Sequence, residues 1–260
     1  MGWSLLAQQF ALELGFGVLL ALAFVPPAPV GRFFHRLMGS CAALPIGAAL
    51  VLRLQAGAGP GDPAVVGAGA VLLAFPFLLD AAPRRRWAAG MALALAGSVL
   101  ATGWTVRAAL PELGLAGQLV GTLSSLATGA VAGGVGLAMV LGHWYLTVPG
   151  MGIEHLVRLN RVTMAAMGIS LASLAVACLA FAGALREAEP PLFGPWGLFY
   201  LGTRLAVGLL LPLLFAAMAA SALRFRNTRS ATGILYASTV LVLIGTAVSL
   251  FLQDSYGVPL

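Results

Sequence analysis

Apolar residues run in long blocks along this chain, and the short stretches between them hold nearly all of its charge, proline and turn-forming residues. A helix that crosses the hydrocarbon of a bilayer needs about 20 apolar residues, with a usable range of about 17 to 25. Eight blocks approach or exceed that length: Ser4 to Phe24, Leu37 to Leu54, Ala64 to Leu79, Trp87 to Leu110, Leu115 to Leu146, Val162 to Leu185, Trp196 to Leu223 and Ser230 to Leu252. The pattern predicts an all-α integral membrane protein, a bundle of about eight transmembrane helices forming one domain over 1–260. The third block is the shortest, yet its bounds are sharp, with Gly59, Pro60, Gly61, Asp62 and Pro63 before it and Asp80, Pro83 and Arg84 after it. The fifth exceeds thirty residues and must tilt, kink or project beyond the hydrocarbon. Ser230 stands where a cap for the last helix is expected.

Charge adds an orientation. Arginine-bearing loops resist translocation, so their distribution over alternate loops sets the topology. Those after the odd-numbered blocks hold Arg32, Arg36, Arg84, Arg85, Arg86, Arg158, Arg161, Arg224, Arg226 and Arg229, whereas those after the even-numbered blocks hold only Arg53, Arg107 and Arg186. This bias places the odd loops in the cytoplasm and both termini outside, as expected for a bacterial inner-membrane protein. The alternation also supports a count of eight.

A faint internal repeat accompanies it. The first block ends in Val25 and Pro26, followed by Val30, Phe33, Phe34, Arg36 and Leu37. The fifth ends in Val148 and Pro149, followed by Ile153, Leu156, Val157, Arg158 and Leu159, with His35 gapped. The match suggests two halves, 1–112 and 113–260, arranged four plus four in parallel.

Composition narrows the chemistry. Only 8% of residues are charged, all fourteen basic residues are arginine, and no lysine is present, which excludes a Schiff base to retinal or pyridoxal phosphate. The net charge of +6 is dispersed over short loops and points to topology and lipid headgroups, with no nucleic-acid partner. Cys41 and Cys178 fall inside apolar blocks and form no metal-spaced cluster. The amino terminus lacks the basic region of a signal peptide, and Leu6 replaces the Ser or Thr of a myristoylation signal.

Two ionisable residues lie deep within blocks. Insertion of such a group costs roughly 2.5 to 3.5 kcal/mol, so it calls for a partner or a task. Glu13 and Arg204 sit at matching depth and are the expected intramembrane ion pair or ligand site, with Tyr200, Thr203 and Trp104 as neighbours. The structural reading is a salt bridge locking the first helix to the seventh. The functional reading is a proton relay, or a quinone or anion site.

His35, His143 and His155 all fall on the arginine-rich side. His143, in the string Gly142, His143, Trp144 and Tyr145, together with a loop-borne His35, could form a haem b or quinone site. The plainer reading is that of interfacial histidines beside an aromatic belt. Gly117, Gly121, Ser125, Gly129 and Gly133 make a small-residue stripe on the fifth helix, for close packing within the bundle or against a partner subunit. No catalytic constellation or metal-ligand set is present in the sequence.

The expected function is that of an accessory or anchoring subunit of a larger bacterial membrane complex, electron-transferring or energy-converting, without independent catalysis. Its partners are membrane lipids and other subunits. The alternative is a small solute transporter or channel with its site between the two halves.

Overall fold

The computed structural model describes residues 2–79, 84–148 and 151–260, so that Asp80, Pro83 and Pro149 lie outside the described residues. The elements are α1 (Trp3–Ala23), the single turn α2 (Pro27–Val30), α3 (Arg32–Gln55), α4 (Pro63–Leu79), α5 (Arg84–Ala109), α6 (Leu115–Thr147), α7 (Glu154–Ala180), α8 (Ala182–Glu187), α9 (Pro195–Leu205), a π-helical turn (Ala206–Leu210), α10 (Leu211–Arg224) and α11 (Thr228–Tyr256). With α9 to α10 counted as one span, seven helices among the described residues are long and apolar enough to cross a membrane, and α4 is a shorter eighth. The protein is a multi-pass membrane protein with an all-α bundle of about eight helices.

Helix ends depart from the block boundaries for physical reasons. Helix α7 starts at Glu154 and α3 at Arg32, so Arg158, Arg161, Arg36 and His35 lie on helices and not in loops. Arginine is a good helix former, and its long stem lets the charge reach the interface from within a helix. The sixth block breaks at Phe181, the last residue before α8. Ser230 does not cap the last helix. Asn227 does, accepting the Ser230 amide at 3.0 Å from one turn earlier. Gly31 joins α2 to α3 at φ +102°, a conformation side chains rarely adopt.

The bundle is apolar on its outer surface, and its polar side chains within the spans are held among an apolar core. Leu44, Leu73, Leu123 and Leu179 are 63–79% exposed, whereas Gln9, Glu13, Thr102, Ser170 and Arg204 are buried. Helices pack in a cyclic order: α1 on α3, α3 on α4, α4 on α5 and α5 back on α1. The second set repeats it, α6 on α7, α7 on α10, α10 on α11 and α11 back on α6. The two sets meet chiefly along α1 and α6.

That meeting is made by glycine. A Cβ on Gly17 would come within 1.7 Å of the Gly129 carbonyl oxygen, and one on Gly133 within 2.1 Å of the Gly17 carbonyl carbon. Backbone therefore lies on backbone, with no side chain able to yield. At the end of the bundle opposite the arginine-rich one, Arg53 of α3 reaches Asp62 at 2.7 Å. The same carboxylate accepts the amides of Ala64 and Val65 at the start of α4. Partial burial would raise the Asp62 pKa, but the Arg53 bond and charge and the two amides outweigh it and hold the carboxyl below its ordinary range.

Two outcomes follow from these contacts. Gly17→Ala should lose about 1–3 kcal/mol or more in a detergent melt. Gly168→Ala, with nothing within 4 Å of the added carbon, should melt at or above wild type; equal effects at the two positions would remove the crossing from its structural role. For Asp62, the folded state holds the proton more weakly than the unfolded chain. Its contribution is complete above the ordinary carboxyl pKa and is lost as pH falls through the lowered folded value. Asp62→Asn keeps a capping oxygen and should be less stable than wild type at neutral pH by about 0.5–1 kcal/mol. The gap should close as pH falls from about 5 toward 2, and a gap constant with pH would assign the effect to capping geometry alone.

Candidate functional site

On α1, Gln9 and Glu13 are one turn apart and share a face, and that face lies on α6. Both are buried, Glu13 being 2% exposed. Ser125 of α6 donates its hydroxyl to Glu13 Oε1 at 2.6 Å, and Gln9 Nε2 donates to the same oxygen at 3.1 Å. Gln9 and Gln253 of α11 pair their amides reciprocally, at 3.0 and 2.8 Å. A chain of polar groups thus leads from the last turn of α11 inward to the carboxyl group.

One turn deeper along α6, Thr128 accepts from Arg204 Nη2 at 2.8 Å, and Ser170 of α7 accepts from the same nitrogen at 3.1 Å. Arg204 is also 2% exposed. It precedes the π-helical turn, which lies between it and Pro212. Proline inside a helix removes a hydrogen bond and crowds the carbonyl four residues back, here that of Gly208, and a widened turn relieves the crowding. Gly208 itself packs backbone to backbone against Gly245 and leaves room beside the guanidinium, since a Cβ there would lie 3.5 Å from Arg204 Nη1.

The direct ion pair expected of Glu13 and Arg204 is not formed. Each charge binds hydroxyl groups of α6, Glu13 through Ser125 and Arg204 through Thr128, although each still lies within the other's field. Glu13 Oε2 and Arg204 Nε, both buried, have no hydrogen-bond partner. A buried carboxyl oxygen without a donor is costly to keep ionised and is suited to accepting a proton or a small cation.

The expected neighbours do other work. Tyr200 packs its ring against Phe251 at 4.5 Å, Thr203 bonds to its own helix at Phe199, and Trp104 lies under Arg107 at 5.0 Å. Sequence reasoning missed Gln9, Gln253, Thr128 and Ser170. Only Gln9, four residues before Glu13, carried a readable signal, because the hydroxyl groups and a glutamine near a block's end resemble ordinary membrane-helix content.

His35 and His143 do not pair as haem ligands. Both ring nitrogens of the buried His35 face carbonyl oxygens at 3.1 Å, those of Gly31 and Val25, so neither is open to iron. His143 is exposed. Trp144 donates to the Val30 carbonyl and stacks on Phe33, and the Tyr145 hydroxyl bonds to the Gly152 carbonyl. These aromatics fasten the chain turns at the arginine-rich end. Among the described residues, no three metal-ligating side chains come together.

The small-residue stripe is occupied within the chain and is no docking face. Gly129 and Gly133 seat α1, Ser125 holds Glu13, Gly121 lies against Val106 and Leu110, and Gly117 lies against Leu113 and Phe181. No known family model, curated protein or solved structure matches the chain.

Removal of a buried partner gives a direct test of the cluster. Ser125→Ala should cost about 1–3 kcal/mol in a detergent melt. Glu13→Gln should cost less, because its amide oxygen still accepts from Ser125 and Gln9. A double-mutant cycle of Ser125→Ala with Glu13→Leu should show a coupling of about 0.5–3 kcal/mol, and simple additivity would mean that hydroxyl and carboxyl do not interact.

Proposed function

We propose that this chain is a small transporter or channel of the bacterial cytoplasmic membrane, in which Glu13 is the proton- or cation-accepting group. The arginine-rich end faces the cytoplasm and both termini face outside. The observation that carries this reading is the unpartnered Oε2 of Glu13 at the junction of the two helix sets, reached through the paired amides of Gln9 and Gln253. Gln253 lies three residues from the end of α11 and Glu13 ten residues into α1, depths of roughly 5 and 15 Å at 1.5 Å per residue. Arg204 supplies compensating positive charge without occupying the second oxygen, so the acid can bind and release an ion while the bundle keeps its charge balance. The glycine crossing directly beneath Glu13 gives the helix sets a point of close contact about which they can rock.

The second reading is an accessory or anchoring subunit of an electron-transferring or energy-converting complex. It draws on Gly168, Gly202 and Gly233, exposed glycines with nothing within 4 Å of their would-be Cβ atoms. Such positions allow the backbone of another helix to approach.

The purified chain reconstituted in liposomes should translocate protons or monovalent cations down an imposed gradient, read with entrapped pH- and cation-sensitive dyes. Glu13→Gln should reduce the rate at least roughly tenfold while still eluting as a folded monodisperse protein. Full activity in that variant would remove Glu13 from the path. An inactive wild-type chain that co-purifies with stoichiometric subunits or a Soret band would favour the subunit reading instead.

A further inference from the structure

The arginine-rich end carries a second feature, independent of Glu13. Between α7 and α10 lies a cleft of about 290 Å³ whose lining includes Arg161, Arg224 and Arg226, with Val157 and Leu223 forming apolar wall. None of the three guanidinium groups has a carboxylate within ion-pair distance or a hydrogen-bond acceptor among the described residues. Three exposed arginines without an internal carboxylate give the cleft a cationic lining suited to an anion.

Asn160 defines what else the ligand must offer. It lines the same cleft, is 1% exposed, and donates its Nδ2 to the Ala216 carbonyl at 2.9 Å. That bond fixes the orientation of the amide, because the carbonyl can be satisfied only by the nitrogen. The Oδ1 atom is left buried with no donor. The cleft is therefore lined by three cationic donors and by the side chain of Asn160, whose Oδ1 lacks a donor, and a complementary ligand carries an anionic group and a hydroxyl group.

We propose that this cleft binds the headgroup of an anionic phospholipid bearing a glycerol hydroxyl, phosphatidylglycerol being the simplest. Its phosphodiester lies against Arg161, Arg224 and Arg226, a headgroup hydroxyl donates to Asn160 Oδ1, and the acyl chains follow Val157 and Leu223 along the groove between α7 and α10. The level fits, since Asn160 is six residues into α7, roughly 9 Å from the helix start. The volume is close to the low end of small-molecule sites, about 300–1,000 Å³. Phosphatidylethanolamine offers a donor, but it brings an ammonium group into a ring of three cations. Phosphatidic acid offers the charge without the glycerol headgroup and its alcohol hydroxyls.

Native mass spectrometry of the full chain, stripped of lipid in detergent, tests this assignment. Phosphatidylglycerol, phosphatidylethanolamine and phosphatidic acid of matched acyl chains would be titrated in parallel, with inorganic phosphate as competitor. Phosphatidylglycerol should bind at least roughly tenfold more tightly than phosphatidylethanolamine. The double variant Arg161→Gln, Arg224→Gln should lose that preference without a change in lipid-free melting, because both side chains are exposed. Asn160→Leu should narrow the preference for phosphatidylglycerol over phosphatidic acid. If that variant does not fold, the arginine pair and the ethanolamine comparison decide the matter. Equal binding of phosphatidylglycerol and phosphatidylethanolamine, or undiminished binding by the double arginine variant, would overturn the assignment. Displacement of phosphatidylglycerol by millimolar inorganic phosphate would overturn the lipid source and make the site one for a soluble anion.

Discussion

Contact between the α1 and α6 backbones at Gly17, Gly129 and Gly133 is the feature on which the remainder of this molecule depends. In a bilayer, lipid tails are as apolar as leucine, so exclusion of water does little to hold two helices together. Close van der Waals fit and internal hydrogen bonds must do so instead. Glycine permits the fit, and the fit brings Ser125 within 2.6 Å of Glu13. A side chain of any size at the crossing would separate the helices and strand the carboxyl group away from its donors.

Burial of a charge in such a place costs several kcal/mol unless hydrogen bonds return most of it. Direct neutralisation by Arg204 would meet that cost and leave a static strut. This bundle instead interposes hydroxyl groups of α6, so that acid and base each keep one buried atom without a partner. The guanidinium is placed by a second close contact, Gly208 on Gly245, and by the π-helical turn that precedes Pro212. Irregular helical turns of this kind recur at functional positions. Here the turn adjoins the one buried arginine among the described residues.

The architecture was legible in the sequence because hydrocarbon thickness imposes a length that any spanning helix must meet. All eight blocks are helical, including the short third, and Glu13 and Arg204 stand out by burial as they do by charge. Boundaries were less legible where arginines begin a helix. Arg32, Arg36, Arg158 and Arg161 read as loop residues by polarity, yet long side chains let the helix continue into the headgroup layer. The partners of the two charges were illegible for a different reason. Ser125, Thr128 and Ser170 are small residues of a kind found throughout membrane helices, and only the rotation of α6 and α7 about their axes determines which of them meet a charge.

The faint sequence match between the ends of the first and fifth blocks can be compared with the same crossing. Packing order among the first four spans recurs among the last four. Yet equivalent residues do not face one another along α1 and α6. Gln9 lies on Ser125 and Gly17 on Gly133, an offset of 116 positions, whereas the matching Val25 and Val148 stand 123 apart. The difference of seven residues is two helical turns, so α6 is displaced lengthwise against α1 relative to the alignment of their ends. At the matched offset Glu13 would correspond to Gly136, which has open space where its side chain would be. The carboxyl group therefore has no counterpart in the second half. The buried acid thus lies where the packing of α1 on α6 departs from the register of their matching ends.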